Sequence, residues 1–92
     1  MIRLMRLKCL CRQSQIPGNV DVRGLMDDGT EFTLQLPAGA VDVKPGENWA
    51  DCTIQVTVLG QRADRCSVTL PGHTLQYGNQ VIVKYASLKK IK

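Results

Sequence analysis

The chain has 92 residues, room for one domain (1–92) with a thin core. Hydrophobic residues make up 43% and charged residues 22%, which excludes a disordered chain, and no apolar run approaches the ~18 residues of a membrane span. The net charge is only +4 but is polarised. Arg3, Arg6, Lys8 and Arg12 at one end, and Lys84, Lys89, Lys90 and Lys92 at the other, lie in acid-free segments, while all eight carboxylates fall between Asp21 and Asp64.

In the N-terminal segment Met5, Leu7, Cys9 and Cys11 alternate with Arg6, Lys8 and Arg12. That period of two suits a strand from about Leu4 to Gln13. Leu10 interrupts its polar face. The apolar positions Met1, Leu4 and Met5 would equally fit a helical turn. Arg3, Arg6 and Lys8 break every stretch that a secretory signal would need, so the expectation is a cytoplasmic protein with no membrane partner.

The clearest unit is a hairpin. Val20, Val22 and Gly24 share a face, Asp27-Asp28-Gly29 supplies the turn, and Phe32, Leu34 and Leu36 share the face of the returning strand. A short loop with glycine in the left-handed position is a common hairpin connection. Asp27 and Asp28 look like a carboxylate pair but are better read as acceptors for turn backbone.

Pro45 to Asp51 has room for one short helical turn and carries Trp49. Cys52, Ile54, Val56 and Val58 then form an apolar face opposed by Thr53, Gln55 and Thr57, and Gly60 to Asp64 reads as a polar connection. Cys66, Val68 and Leu70 repeat the pattern. Val81, Val83 and Tyr85 do so again against Ile82 and Lys84, and residues 86–92 read as a basic tail. The expected fold is all-β: a small antiparallel barrel or sandwich of about six short strands with little or no helix. Leu36-Pro37-Ala38-Gly39 between strands, and Pro45-Gly46 and Pro71-Gly72 ahead of others, give a rhythm similar to small OB-like or SH3-like barrels, which bears on fold alone.

Four cysteines and one histidine would suffice for tetrahedral zinc. However, Cys9 and Cys11 are spaced along one strand face and not around a knuckle, and Cys52 and Cys66 each begin a core face. Reduced, buried thiols are expected, with no metal and no cofactor. His73 follows Pro71-Gly72 in a loop, and no nucleophile elbow or phosphate-binding glycine loop occurs. With no catalytic constellation, the chain reads as a non-enzymatic module.

Two binding functions remain. If the first and last strands adjoin, Arg6, Lys8 and Arg12 would merge with Lys84, Lys89 and Lys90 into a basic patch suited to nucleic acid. Stacking aromatics are few, however: Phe32, Trp49, Tyr77 and Tyr85 are the whole set. The preferred reading is protein interaction or self-association, with Trp49 as the candidate anchor unless it plugs one end of the barrel.

Overall fold

The computed structural model describes residues 3–91. The strands are β1 (Arg3–Gln13), β2 (Asn19–Leu25), β3 (Glu31–Pro37), β4 (Ala50–Arg62), β5 (Arg65–Thr69), β6 (Gln80–Lys84) and β7 (Leu88–Lys90). All pair antiparallel in one strongly curled half-barrel sheet, in the order β3-β2-β1-β4-β5-β6, with β7 added beside β1. The all-β expectation is met. Against about six short strands expected, the described residues form seven, of which β1 and β4 are the longest.

Strand β1 organises the sheet. One edge pairs with β4 from Arg3↔Val58 to Cys11↔Ala50. The other edge is divided: Leu10–Gln13 pair with β2, and Met5–Leu7 pair with β7. The first and last strands therefore adjoin. Residues 88–90, expected in a basic tail, form a strand because Leu88 is buried opposite Leu7 and fills the vacant edge. A helical turn at the N-terminus is not formed from Arg3 onward, while Met1, Ile2 and Lys92 lie outside the described residues.

Period-two alternation sends one face of every strand inward. Leu7, Val20, Phe32, Ile54, Val68 and Val83 are all essentially inaccessible within a single core. Such burial is worth about 1.5–3 kcal/mol per large aliphatic side chain before entropy is charged against it. Tyr85 does not continue the β6 face. It opens a 3-10 turn, Tyr85–Ser87, that carries the chain from β6 to β7, and it is exposed.

The β4–β5 connection is shorter than its polar composition suggests. Pairing continues to Arg62↔Arg65 across a two-residue turn, Ala63-Asp64, with Ala63 at φ 56°. A bulge between Val58 and Gly60 absorbs the extra residue, Leu59. A second 3-10 turn, Ala38–Ala40, follows β3. The chain then runs along the edge of β4 through the Val41↔Ile54 bridge. No helical turn forms between Pro45 and Asp51.

The sheet leaves β3 and β6 unpaired with each other, and the loop between β5 and β6 occupies the seam. Leu75 N donates to Thr33 O at 3.2 Å, and Asp27 N donates to Ile82 O at 2.9 Å. Buried Thr74 holds the loop in shape: its hydroxyl donates to Gly78 O at 2.8 Å and accepts from Tyr77 N at 2.7 Å.

Candidate functional site

The outward positions of β1 to β4 form rows across the sheet. Gln35 stands opposite Asp21, and Asp21 opposite Arg12. The next residue of β1's register, Cys11, stands opposite Ala50, so Trp49 arrives beside Arg12 just as β4 begins. Gln13 N donates to Gly46 O at 2.7 Å, which ties the approach segment to the same end of β1. Trp49 is thus held from both sides, on the convex surface and not in the barrel end. The plug reading is overturned by this register.

The guanidinium carbons of Arg12 and Arg23 both lie 4.5 Å from the Trp49 ring centroid. Contacts of this kind contribute about 0.5–1 kcal/mol each at an exposed site. Arg12 Nε donates to Asp21 Oδ2 at 3.4 Å, and Gln35 Nε2 donates to Asp21 Oδ1 at 3.3 Å. Arg23 Nε sits 3.1 Å from Glu31 Oε2, out of line for a hydrogen bond, and this buried nitrogen has no hydrogen-bond partner among the described residues. Leu10 stands opposite Arg23 and Asp51 in the row beside Trp49, and it is half-buried there.

A cleft of about 430 Å³ opens beside this arrangement, lined by Arg12, Asp21, Thr33, Gln35, Trp49, His73 and Leu75 with Leu34 at its base. Leu75 is 86% exposed, the most exposed large hydrophobic side chain among the described residues. Its backbone is tied to β3 all the same, through its own N–H. The cleft therefore pairs an exposed apolar side chain with an aromatic ring and the Arg12 guanidinium, while Arg23 meets the same ring from outside the cleft lining. A polar groove bounded by Gln13–Ile16 and Glu47 continues from it past Arg12, Asp21 and Gln35.

The residues expected to form a basic patch are only partly brought together. Arg6, Lys8 and Arg12 share the outer face of β1, and Lys89 stands opposite Arg6. Lys90 stands opposite inward-facing Met5, and Lys84 lies on β6 opposite Arg65. Arg6 is engaged, its Nε donating to Thr53 Oγ1 at 2.7 Å and its Nη2 to Thr53 O at 2.8 Å. Thr53 N in turn donates to Asp42 Oδ1 at 2.7 Å, which with nearby Arg6 holds the Asp42 carboxyl below its usual range. Lys8 Nζ reaches Ala86 O at 3.4 Å. Asp21, Glu31 and Asp51 interleave with the cations, so the face is of mixed sign.

The thiols lie on the opposite, inner face. All four cysteines are free and buried. Cys9 stands directly opposite Cys52, and Cys11 lies two residues along the same inner face of β1. Burial, aided by neighbouring Cys11, pushes the Cys9 thiol up to about 12, and burial also raises Cys52 and Cys66. Thiols so raised are poor nucleophiles at neutral pH. Of the turn aspartates, Asp28 accepts from Thr30 N at 2.9 Å as expected, which lowers its pKa. Asp27 instead pairs with Arg65 Nε at 3.4 Å.

Compared with protein-family models, with curated proteins and with solved structures, the chain matches none.

Trp49 and Arg12 were legible as candidates, but Arg23, Asp21, Gln35 and Leu75 were not. They depend on register and on where the β5–β6 loop lands. The one available signal was Leu10, an apolar residue on an otherwise polar strand face, which implied that something covers it.

Proposed function

We propose that the chain is a non-enzymatic binding module whose partner is a protein, engaged on the convex face at the Trp49 cleft. The observation that carries this reading is Trp49 packed against the guanidinium groups of both Arg12 and Arg23, beside largely exposed Leu75. Tryptophan and arginine are the residue types most enriched where binding energy concentrates at protein interfaces. Here both are already oriented, so less conformational entropy is lost on docking. Free, buried cysteines are in keeping with a cytoplasmic setting.

Nucleic acid is the second reading, supported by the adjacency of Arg6, Lys8 and Lys89. Three carboxylates interleave with those cations, and Arg6 is committed to Thr53. The ring on which a base would stack already sits within 4.5 Å of two guanidinium groups. These features favour protein.

The test is selection of displayed random peptides of about twelve residues on the folded protein, with a Trp49→Ala/Leu75→Ser variant as counter-target. The reading predicts a family of peptides that bind the native chain and not the variant. Peptides that bind both equally, or no enriched family at all, contradict it.

A further inference from the structure

We infer that the cleft selects an uncharged stretch of extended peptide that seats one large apolar side chain against Trp49 and Leu75, and that Arg12 and Arg23 serve the site by orienting the tryptophan ring. This rests on the reading of the convex face as a protein-binding surface and specifies the partner's chemistry.

The charges at the site already oppose one another. Apart from His73, the ionisable side chains of the cleft are Arg12 and Asp21, and they pair at 3.4 Å. The second oxygen of Asp21 accepts from Gln35 Nε2 at 3.3 Å. Glu47 follows in the groove that continues from the cleft. A carboxylate brought to Arg12 would meet Asp21 and Glu47, and a cation brought to Asp21 would meet Arg12. Either sign loses water without gaining an unopposed partner. Over the wider face Arg6, Lys8, Arg12, Arg23, Lys44 and Lys89 stand with Asp21, Glu31, Asp42, Glu47 and Asp51, an excess of one charge on the whole surface. Such a face has little field with which to prefer a charged segment.

What the cleft offers instead is apolar and neutral. Leu75, 86% exposed, lines it together with Trp49, over Leu34 at the base. Covering that leucine with an apolar side chain removes both from water, which is the largest gain available here. Thr33 and Gln35 on β3 bring a hydroxyl and an amide, groups that suit the main-chain N–H and C=O of an extended segment. The volume of about 430 Å³ falls within the range of roughly 300–1,000 Å³ usual for ligand sites. It has room for one anchoring side chain and the backbone beside it.

The arginines act on the ring. Both guanidinium carbons lie 4.5 Å from its centroid, and each Nε lies against a carboxylate of its own chain, Arg12 on Asp21 at 3.4 Å and Arg23 on Glu31 at 3.1 Å. Arg23 is outside the cleft lining, so its influence on a ligand there passes through Trp49. That role needs a cation over the ring, which lysine also supplies.

The peptide selection described above supplies the test through the composition of the enriched family. The proposal predicts one position held by a leucine-sized or aromatic residue, with no preference for charged residues beside it. A synthetic member of the family should lose about tenfold or more in affinity when that residue is changed to alanine, a test that leaves the protein unaltered. Its affinity should change by less than about threefold between about 50 and 500 mM salt. Arg23→Gln should weaken binding and alter the near-ultraviolet circular dichroism of Trp49 in the free chain. Arg23→Lys should restore most of both.

A Trp49-dependent family that requires Asp, Glu, Lys or Arg, or whose affinity falls steeply with salt, overturns the uncharged assignment and leaves protein binding standing. Loss of binding in Arg23→Gln with no change in the Trp49 signal, or with no recovery in Arg23→Lys, overturns the positioning role. If no peptide is enriched, both the assignment and the reading beneath it fall.

Discussion

Phe32 lies directly over Gly24. The two are register partners on β3 and β2, and an ideally placed Cβ at position 24 would fall 2.8 Å from Phe32 Cε2 and closer still to Cζ. The ring fills the space that a side chain on Gly24 would need, so the hairpin's apolar face depends on both residues. Phe32→Ala should cost about 3–5 kcal/mol. Gly24→Ala should cost about 1–3 kcal/mol, because the buried ring must move in a packed core. Urea melts measure both, and Gly24→Ala at wild-type stability would show that the ring is free to move.

The turn residue Ala63 has φ 56°, a left-handed conformation that disfavours a Cβ. Ala63→Gly should raise stability by about 0.5–1 kcal/mol, with glycine's greater freedom in the unfolded chain offsetting part of the gain. A higher urea midpoint with an unchanged slope is the expected result. A lower midpoint would mean that the turn adopts another conformation.

The inner thiols make stability depend on alkaline pH. Unfolded thiols titrate near roughly 8.5, whereas Cys9 holds its proton to about 12 and Cys52 and Cys66 are also raised by burial. The unfolded chain therefore loses protons first, and these groups favour folding fully only below that lower value. Stability should fall as pH rises through this window, by up to about 1.4 kcal/mol per pH unit for each such thiol. Melts at successive pH values on the native chain and Cys9→Ala would check it, the variant showing the shallower decline. Equal slopes would place Cys9 in contact with solvent.

How far the sequence reached can be seen in β2, β3 and β7. The hairpin was legible because Val20, Val22, Phe32, Leu34 and Leu36 alternate strictly and Gly29, at φ 86°, occupies the position that needs glycine. Strand β7 was not, because Leu88-Lys89-Lys90 is too short to show a period and forms only where β1 has a free edge. Trp49 was visible as a candidate, but its place outside the barrel follows from register and not from local composition. The Arg23–Trp49 contact joins residues far apart in sequence, and no local pattern encodes it.

Trp49 is the only tryptophan, so its fluorescence reports on the proposed site without a label. The most direct measurement is a titration of the native chain with a selected peptide, following Trp49 emission and the binding heat together. The account predicts a saturable emission change with the same midpoint as the heat, and loss of both in Arg12→Gln/Arg23→Gln. Peptide binding that leaves Trp49 emission unchanged and survives the arginine substitutions would contradict it.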